Sequence, residues 1–471
     1  MHINFTVELN VNKPNILFFF TDDQRFDTIN ALGNDKIHTP NIDWLVENGT
    51  TFTDAYIMGG TNYAVCMPSR AMLMTGRTLF HLEDTGSYIP QEHIMLGEIL
   101  QSSGYNSWGC GKWHNGTTSY ARSFNDGSDI YFGGMYDHWT VPVHSFDPTG
   151  KYEGRITKTA TYRPSNIVEE KIADHVPSGI HSTELFASQV GDFIKKYDKE
   201  NPFFAYVAFM APHDPRSMPQ EFLDMYDQDD MDIGDSFMEM HPFDNGSLTV
   251  RDELITTIPR VKSDIKQHLA EYYAMVTHID FEIGKVLDIL RETGQLENTI
   301  IAFAGDNGLA VGRHGLMGKQ SLYEHSIHIP MILSGPGISK NKRTNAKAYT
   351  VDFYPTLCEL AGAEIPDTVM GHSLVPVLKG ELDTTREYFY YVYKEFIRAV
   401  NVNGMKLIEY NVYGKRHTQL FDLNKDPMEI NDLSKDPSNS GIIQDLRTKL
   451  LQGKEEYGDN VLPFSTFWEG F

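Results

Sequence analysis

Short apolar runs bounded by turn residues recur along the chain. They span residues 15–20, 105–109, 203–209, 299–304 and 330–333, and runs of this length are typical of buried strands. The segments between them include helical patterns at residues 41–48, 183–197 and 269–291. This alternation favours an α/β fold in which a mixed, mostly parallel sheet is sandwiched by helices.

The pattern changes near residue 381. Close-set strand-like runs with turn signals at Asn403-Gly404 and Gly414 precede a polar segment and a helical pattern over residues 442–457. We therefore expect an N-terminal α/β domain over residues 1–380 and a small C-terminal α+β subdomain with an antiparallel sheet over residues 381–471. Two long segments, 119–150 and 214–262, look like loops, and long loops in compact domains are usually functional or mobile.

The charge balance restricts the partners that this chain can bind. It has 64 Asp and Glu residues against 40 Lys and Arg, a net charge of −24, which repels nucleic acid and anionic membranes except at a local basic pocket. Because no apolar run approaches the roughly 18 to 20 residues that a membrane span requires, we expect no span. The first twelve residues lack the basic and apolar regions of a signal peptide, so none is expected within this sequence.

Polar side chains follow four of the predicted strands. They are Asp22 and Asp23, Lys112 and His114, His213 and Asp214, and Asp306 and Asn307. A single Asp in such a position is most often a turn or cap residue. Because ligands of open α/β sheets bind beyond the carboxyl ends of the strands, four such groups together predict one polar site.

The acidic members of this predicted site suggest a metal ion. Asp22, Asp23, Asp306 and Asn307 offer only oxygen ligands, which favours Ca²⁺ or Mg²⁺ over Zn²⁺. Three carboxylates that converge without a cation would repel one another and raise their own pKa values.

The segment from Cys66 to Arg77, CMPSRAMLMTGR, indicates a helix with a functional N-terminus. Pro68 suits the first turn of a helix and Gly76 its end, which places Cys66 where an anion is stabilised. Arg70 lies four residues on, on the same helical face, and could hold an oxyanion. The alternative is a small buried Cys on an amphipathic helix.

These residues carry a resemblance to a known family. Cys66-x-Pro68-Ser69-Arg70 followed by Thr75-Gly76-Arg77 resembles the signature of the type I, formylglycine-dependent sulfatases of the alkaline-phosphatase-like superfamily. Further motifs agree in order over residues 13–435; they are KPNILFFFTDD from Lys13, Gly111-Lys112-Trp113-His114, Ala211-Pro212-His213, Gly305-Asp306-Asn307-Gly308 and His314-Gly315-Leu316-Met317-Gly318-Lys319.

The resemblance implies an alkaline-phosphatase-like fold and a set of roles. In such enzymes a maturating enzyme, formylglycine-generating or anaerobic, oxidises the Cys, and the aldehyde hydrate displaces an alcohol from sulfur to give a sulfo-enzyme. The implied metal ligands, usually for Ca²⁺, are Asp22, Asp23, Asp306, Asn307 and an oxygen of modified Cys66. Arg70, Lys112 and Lys319 would bind sulfate, His213 would protonate the leaving group, and His114 would help to release sulfate. The family also implies a periplasmic or secreted location.

The predicted substrate is a sulfated carbohydrate. Residues 133–139 and 241–246 resemble segments of sulfatases that marine bacteria use on polysaccharides such as ulvan and carrageenan. The candidate substrate residues lie in loop-like sequence near the motifs; they are His81, Arg122, His138, Trp139, Asp214, Arg216 and His314. His278, His325 and His328 are expected to be packing or surface residues. The alternatives are a phosphonate monoester hydrolase or phosphodiesterase of the same superfamily and an inactive carbohydrate-binding homologue.

Overall fold

The computed structural model describes residues 13–154, 159–160, 168–169, 173–198 and 200–471. The strands are β1 (Asn15–Thr21), β2 (Gly49–Phe52), β3 (Ala55–Tyr56), β4 (Gly59–Gly60), β5 (Asn106–Lys112), β6 (Asp126–Tyr131), β7 (Thr159–Ala160), β8 (Val168–Glu169), β9 (Phe203–Ala208), β10 (Thr299–Gly305), β11 (Met331–Ser334), β12 (Lys342–Thr344), β13 (Ala348–Tyr349), β14 (Phe389–Tyr393), β15 (Ile397–Val402), β16 (Met405–Val412) and β17 (Lys415–Asp422). The helices are α1 (Pro40–Glu47), α2 (Cys66–Thr75), α3 (Leu96–Ser102), α4 (Thr117–Ser123), α5 (Ser182–Lys196), α6 (Gln220–Leu223), α7 (Lys262–Glu292), α8 (Glu324–Ile327), α9 (Phe353–Ala361), α10 (Val375–Leu378) and α11 (Ser440–Tyr457).

The main sheet has the strand order β12-β2-β11-β10-β1-β9-β5-β6. The strands from β10 to β6 run parallel to one another, which confirms the expected mostly parallel α/β sheet. Strand β11 is antiparallel to both of its neighbours. The reason is its connection: between β10 and β11 the chain forms loops and only the short helix α8, so β11 starts near the carboxyl end of β10 and runs back along it.

Strand β1 shows why the sheet lies at the centre of the molecule. All seven of its residues are buried, and successive side chains of a strand point to opposite faces. Ile16 and Phe18 therefore enter a core cluster with α2, α3 and α9, whereas Leu17 and Phe19 enter another with α1, α5 and α7. The continuous apolar run is thus explained by helices on both faces.

Helix α7 is longer than its apolar pattern predicts. The pattern begins at Leu269, but the helix begins at Lys262. Its first residues, Lys262, Ser263 and Asp264, are not buried, so they carry no apolar periodicity that could reveal the helix. No helix of the described residues is both long and apolar enough to cross a membrane.

A second sheet has the order β17-β16-β15-β14-β4. Strands β14 to β17 form successive antiparallel hairpins, and the turns after β15 and β16 fall at Asn403-Gly404 and Tyr413-Gly414, as the turn signals predict. The fifth strand, β4, pairs parallel to β14 although it lies more than three hundred residues earlier. The boundary at residue 380 stays a prediction, and a core cluster of buried residues extends across it.

A buried ion pair ties this sheet to the C-terminal segment. Arg398 and Asp459 are fully buried and directly paired, and Asp459 also accepts hydrogen bonds from the Tyr390 hydroxyl at 2.6 Å and from Trp468 Nε1 at 3.1 Å. We expect Asp459→Ala to lower the free energy of unfolding by about 3–5 kcal/mol, because it leaves the Arg398 charge buried without a partner. Urea denaturation followed by tryptophan fluorescence measures this change.

Asp192→Ala is the matched control for this prediction. It breaks the ion pair between Asp192 and Lys196, whose side chains are 60% and 78% exposed, and we expect no measurable change in stability. Equal stability of the Asp459→Ala and wild-type proteins would contradict the predicted role of the buried pair.

Candidate active site

Helix α2 places Cys66 at the carboxyl edge of the main sheet. Cys66 is the first residue of the helix, Pro68 lies in its first turn, and Gly76 ends it with φ 66°, as the sequence predicts. The Cys66 Sγ lies 3.6 Å from Lys112 Nζ and 3.5 Å from His114 Nδ1. Burial raises the pKa of the Cys66 thiol to about 11 although Lys112 opposes this shift. The unmodified thiol is therefore protonated at neutral pH and is a poor nucleophile.

Three carboxylates and three positively charged side chains lie close together near Cys66. Asp22 and Asp23 follow β1, and Asp306 follows β10, which is the neighbour of β1 in the sheet. Lys112 contacts Asp22 directly. Lys319 Nζ lies 2.5 Å from Asp23 Oδ1, and Arg70 Nη2 lies 2.8 Å from Asp306 Oδ2. Each buried carboxylate thus has a cationic partner, which buried charges require.

The pKa values of Asp306 and Asp22 shift in opposite directions. Burial, together with the charge of Asp22, raises the pKa of Asp306 to about 7. Burial also acts to raise the pKa of Asp22, but Lys112, His213 and Arg70 outweigh it and hold that pKa well below its usual range. The charge of Asp22 thus adds to the effect of burial on Asp306, whereas at Asp22 the neighbouring positive charges outweigh burial.

The oxygen atoms at this edge fit a hard divalent cation. Among the described residues, Asp22 Oδ1 and Asn307 Oδ1 are buried without any hydrogen-bond partner. Asn307 uses its Nδ2 atom to donate to Asp23 Oδ1 at 2.6 Å and to the Gly308 carbonyl at 2.8 Å, which leaves its oxygen available. Two buried oxygens without partners at one edge of the sheet, beside three carboxylates, fit the ligands that a hard divalent cation takes.

Two groups of potential metal ligands lie within this region. Asp22, Asp23 and His213 can each place one ligand atom within 4.8 Å of the others, and so can Asp22, Cys66 and Asp306. The predicted oxygen ligands are therefore brought together. His213 adds a nitrogen that the sequence-based ligand set does not include.

Three residues contact His213: Asp23, Asp214 and His138. The Nε2 atom of His213 lies 3.8 Å from Asp23 Oδ2, and its Nδ1 lies 2.7 Å from the Asp214 carbonyl oxygen and 3.3 Å from Asp214 Oδ1. Both Nη atoms of Arg251 donate hydrogen bonds to the Asp214 carboxylate. His138 Nε2 forms a hydrogen bond of 3.0 Å to the His213 carbonyl oxygen. Asp214 and His138 therefore orient His213, and neither lines the cavity described next.

A cavity of about 200 Å³ opens onto Cys66, His114, His213 and Lys319. Its other lining residues come from four segments of the chain; they are Tyr63, Ala64, Gly134, Met135, Val250, Arg251, Asp252 and Gln320. Both segments that the sequence marks as long loops thus contribute to the wall, although α4 and β6 occupy much of the first one.

The structure does not bring the predicted substrate residues to this wall. His81 bonds the Thr78 hydroxyl, Arg122 pairs with Glu98, Trp139 packs on His181, Arg216 bonds His268, and His314 stacks on Tyr323. The cause is that nearness to a motif in sequence does not fix the direction of a side chain. His278 and His325 are buried, and His328 stacks between Phe26 and Tyr56, as packing residues.

Sequence reasoning missed Tyr63, Arg251, Asp252 and Gln320. Gln320 directly follows Lys319 and could have been found from that position. Its Nε2 donates to the Tyr63 carbonyl at 3.0 Å and to Asp252 Oδ2 at 2.7 Å, so it ties two loops of the cavity together. Arg251 and Asp252 belong to no motif, and only the folded arrangement reveals them.

Comparison with known proteins identifies relatives over nearly the whole chain. An N-acetylglucosamine-6-O-sulfatase of Bacteroides thetaiotaomicron is 26% identical over 522 residues, which cover 95% of this chain and 87% of the relative. An ulvan-active sulfatase of Formosa agariphila is 28% identical over 470 residues, covering 95% and 82%. A solved structure in complex with its substrate D-glucosamine-2-N,6-O-disulfate matches with a TM-score of 0.72 at 22% identity, covering 95% of this chain and 99% of the other.

Two family models match the sequence. The model described as N-sulphoglucosamine sulphohydrolase, C-terminal, matches residues 312–456. The model described as Sulfatase matches residues 14–363, well over half of the chain. The solved structure shares the mixed α/β architecture, and the alkaline-phosphatase-like fold expected from the motifs is confirmed. The chain therefore belongs to the sulfatase family of sulfuric ester hydrolases.

Proposed function

We propose that this protein removes sulfate from sulfated oligosaccharides, such as those of ulvan, after oxidation of Cys66 to formylglycine. The observation that carries the proposal is the position of Cys66, at the start of α2, within 3.6 Å of Lys112 Nζ and facing the cavity. A thiol with a pKa of about 11 has little reactivity of its own. Conversion of the side chain to an aldehyde hydrate gives it a hydroxyl nucleophile and allows a sulfo-enzyme intermediate.

The oxygen atoms of Asp22, Asp23, Asp306 and Asn307, with an oxygen of modified Cys66, would hold one divalent cation, for which Ca²⁺ fits best. When bound, the cation supplies positive charge that favours the sulfate group and its transfer. The three carboxylates are otherwise balanced by Arg70, Lys112 and Lys319. The ion would add positive charge to a site whose carboxylates are already paired with cations, and would therefore favour the binding of a sulfate ester.

The protein's own side chains position the sulfate and move the protons. Lys112 and Lys319 lie beside Cys66 and Asp23 and would pair with sulfate oxygens. Arg70 donates to Asp306 at 3.0 Å and to the Lys112 carbonyl at 2.9 Å, so it would also fix the direction of Asp306. His213 would protonate the departing sugar oxygen, and His114, 3.5 Å from Cys66 Sγ, would accept the proton that sulfate release requires.

The substrate class rests on the relatives and on the shape of the site. Relatives at 26% and 28% identity are an N-acetylglucosamine-6-O-sulfatase and an ulvan-active sulfatase. The cavity, about 200 Å³, is smaller than the roughly 300 Å³ at which drug-sized ligand pockets begin. One terminal sugar would fit it, which favours chain ends over the interior of long polymers. Secretion or a periplasmic location would bring the enzyme to such substrates.

The test of this proposal is sulfate release from a panel of sulfated algal and animal oligosaccharides, with 4-nitrophenyl sulfate and phenyl phosphonate monoesters alongside. We expect wild-type protein to release sulfate and Cys66→Ser protein, expressed in a host that modifies only Cys, to be folded and inactive. Mass spectrometry of the Cys66 peptide should show the aldehyde in active preparations. Faster turnover of the phosphonates would favour the hydrolase of phosphonate monoesters, and full activity of unmodified Cys66 protein would overturn the mechanism.

The metal prediction concerns Asp306. We expect Asp306→Asn to lose the bound cation and most of the turnover while the fold is retained, because the carboxylate is a predicted ligand. Metal analysis and circular dichroism measure the two effects. Asp367→Asn, at an exposed position, is the control and should keep both metal and activity. Full activity after complete removal of the metal, or stoichiometric zinc, would refute the prediction.

The prediction for His213 depends on the leaving group. His213→Ala removes a general acid, so we expect a loss of about 10²- to 10⁴-fold in kcat on a sugar sulfate. The loss on 4-nitrophenyl sulfate should be much smaller, because its phenolate leaves without protonation. His372→Ala, at an exposed position, is the control. Equal losses of the His213→Ala enzyme on both substrates would mean that His213 does not act as the acid.

A further inference from the structure

One end of the C-terminal sheet borders the cavity. Strand β4 pairs with the end of β14, with Gly60 opposite Tyr393, so the chain leaves β4 toward Tyr63 and Cys66 where β14 turns into β15. Because β14 to β17 are successive hairpins, the turn between β16 and β17 lies at the same end. Two turns of the C-terminal sheet thus lie at the end where the chain leaves β4 toward α2, and the turn between β14 and β15 is the nearer of the two.

Side chains at this end contact one another in series. Tyr63 lines the cavity, and Lys394 Nζ lies 3.5 Å from the centre of the Tyr63 ring and 5.6 Å from that of Phe396. The Phe396 and Tyr413 rings meet edge to face with their centres 5.5 Å apart. We call Tyr63, Lys394, Phe396 and Tyr413 the outer strip. It leads from the cavity to the tip of the last hairpin.

Of the three rings in the outer strip, one is buried and two are exposed. Phe396 is buried, whereas Tyr63 is 42% exposed and Tyr413 is 78% exposed. A single exposed aromatic residue is ordinary. Here, however, a series of contacts links the exposed Tyr413 ring to Tyr63, which lines the cavity.

The backbone conformation at residue 413 does not favour tyrosine. Tyr413 has φ 51° and the following Gly414 has φ 81°, a left-handed pair that hairpin turns usually fill with Asn-Gly or Asp-Gly. A bulky residue is disfavoured at positive φ, and the ring gains little from packing at this exposure. A role in binding accounts for a residue that neither the turn nor the core favours.

The outer strip also contains one positively charged side chain, that of Lys394. The Lys394 side chain is 15% exposed, and its Nζ lies 4.0 Å from Glu395 Oε1. In a chain of net charge −24, a lysine beside the exposed ring of Tyr63 creates a local place where an anionic sugar is tolerated. Aromatic faces stack on the apolar faces of sugar rings, and the ammonium group pairs with a sulfate or carboxylate.

We propose that Tyr63, Lys394 and Tyr413 form an outer subsite that binds the sugar unit next to the one whose sulfate lies at Cys66. The ligand is an anionic oligosaccharide of two or more units. This inference rests on the proposed function and extends it: the cavity selects the terminal sulfated sugar, and the outer strip makes an oligosaccharide a better substrate than a monosaccharide.

The test uses the full-length, matured enzyme with Tyr413→Asn. Asn suits the turn, so we expect an unchanged or higher thermal midpoint. On the longest sulfated oligosaccharide that the wild type hydrolyses, kcat/KM should fall about tenfold, chiefly through KM, because an aromatic contact is lost; this fall corresponds to about 1.4 kcal/mol. The fall on 4-nitrophenyl sulfate should be several times smaller.

Phe281→Ala is the matched control. Phe281 is also an exposed aromatic residue, 47% exposed, with Lys285 Nζ 4.6 Å from its ring centre, but it lies on α7 and does not line the cavity. It should leave both activities unchanged. Equal losses of the Tyr413→Asn enzyme on both substrates, or no loss on either, would overturn the outer subsite alone. A wild-type enzyme that releases no sulfate from any probe would overturn the proposed function, and the subsite with it.

Discussion

The structure depends on the pairing of buried charges at the carboxyl edge of the main sheet. Asp22, Asp23 and Asp306 are at most 1% exposed, and an unpaired carboxylate there would cost several kcal/mol. Their partners come from elsewhere: Arg70 from α2, Lys112 from the end of β5, and Lys319 from the loop after β10. The charges are compensated only when the strands and α2 are all in place, so the fold and the site are specified by the same contacts.

Further hydrogen bonds reinforce this pairing within the site. Arg70 bonds both Asp306 and the Lys112 carbonyl, and the Tyr272 hydroxyl donates to the Asp23 carbonyl at 2.5 Å. Such a network fixes side-chain directions before any ligand arrives.

The sequence predicted those parts of the structure that depend on periodicity and on strand ends. β1, β9, β10 and the site residues that follow them were found because a buried strand forces its polar successors to one edge of the sheet. The start of α7, the direction of β11 and the cavity wall were not predictable, because exposed helical turns, loop paths and side-chain directions leave no periodic signal. Arg122 and His314 show this: Arg122 follows one motif and His314 begins another, yet Arg122 pairs with Glu98 and His314 stacks on Tyr323.

The two residues of β4 limit how freely the C-terminal part of the chain can be exchanged or detached. A Cβ atom on Gly59 would lie 2.0 Å from the Val392 carbonyl oxygen, so β14 approaches the backbone just ahead of Tyr63 and Cys66 too closely for any side chain at that position. A replacement for residues 381–471 would have to reproduce the path of β14 to keep this strand in register. Exchange of residues 381–471 would thus disturb the loop before Cys66, so the C-terminal sheet and the candidate active site are structurally coupled.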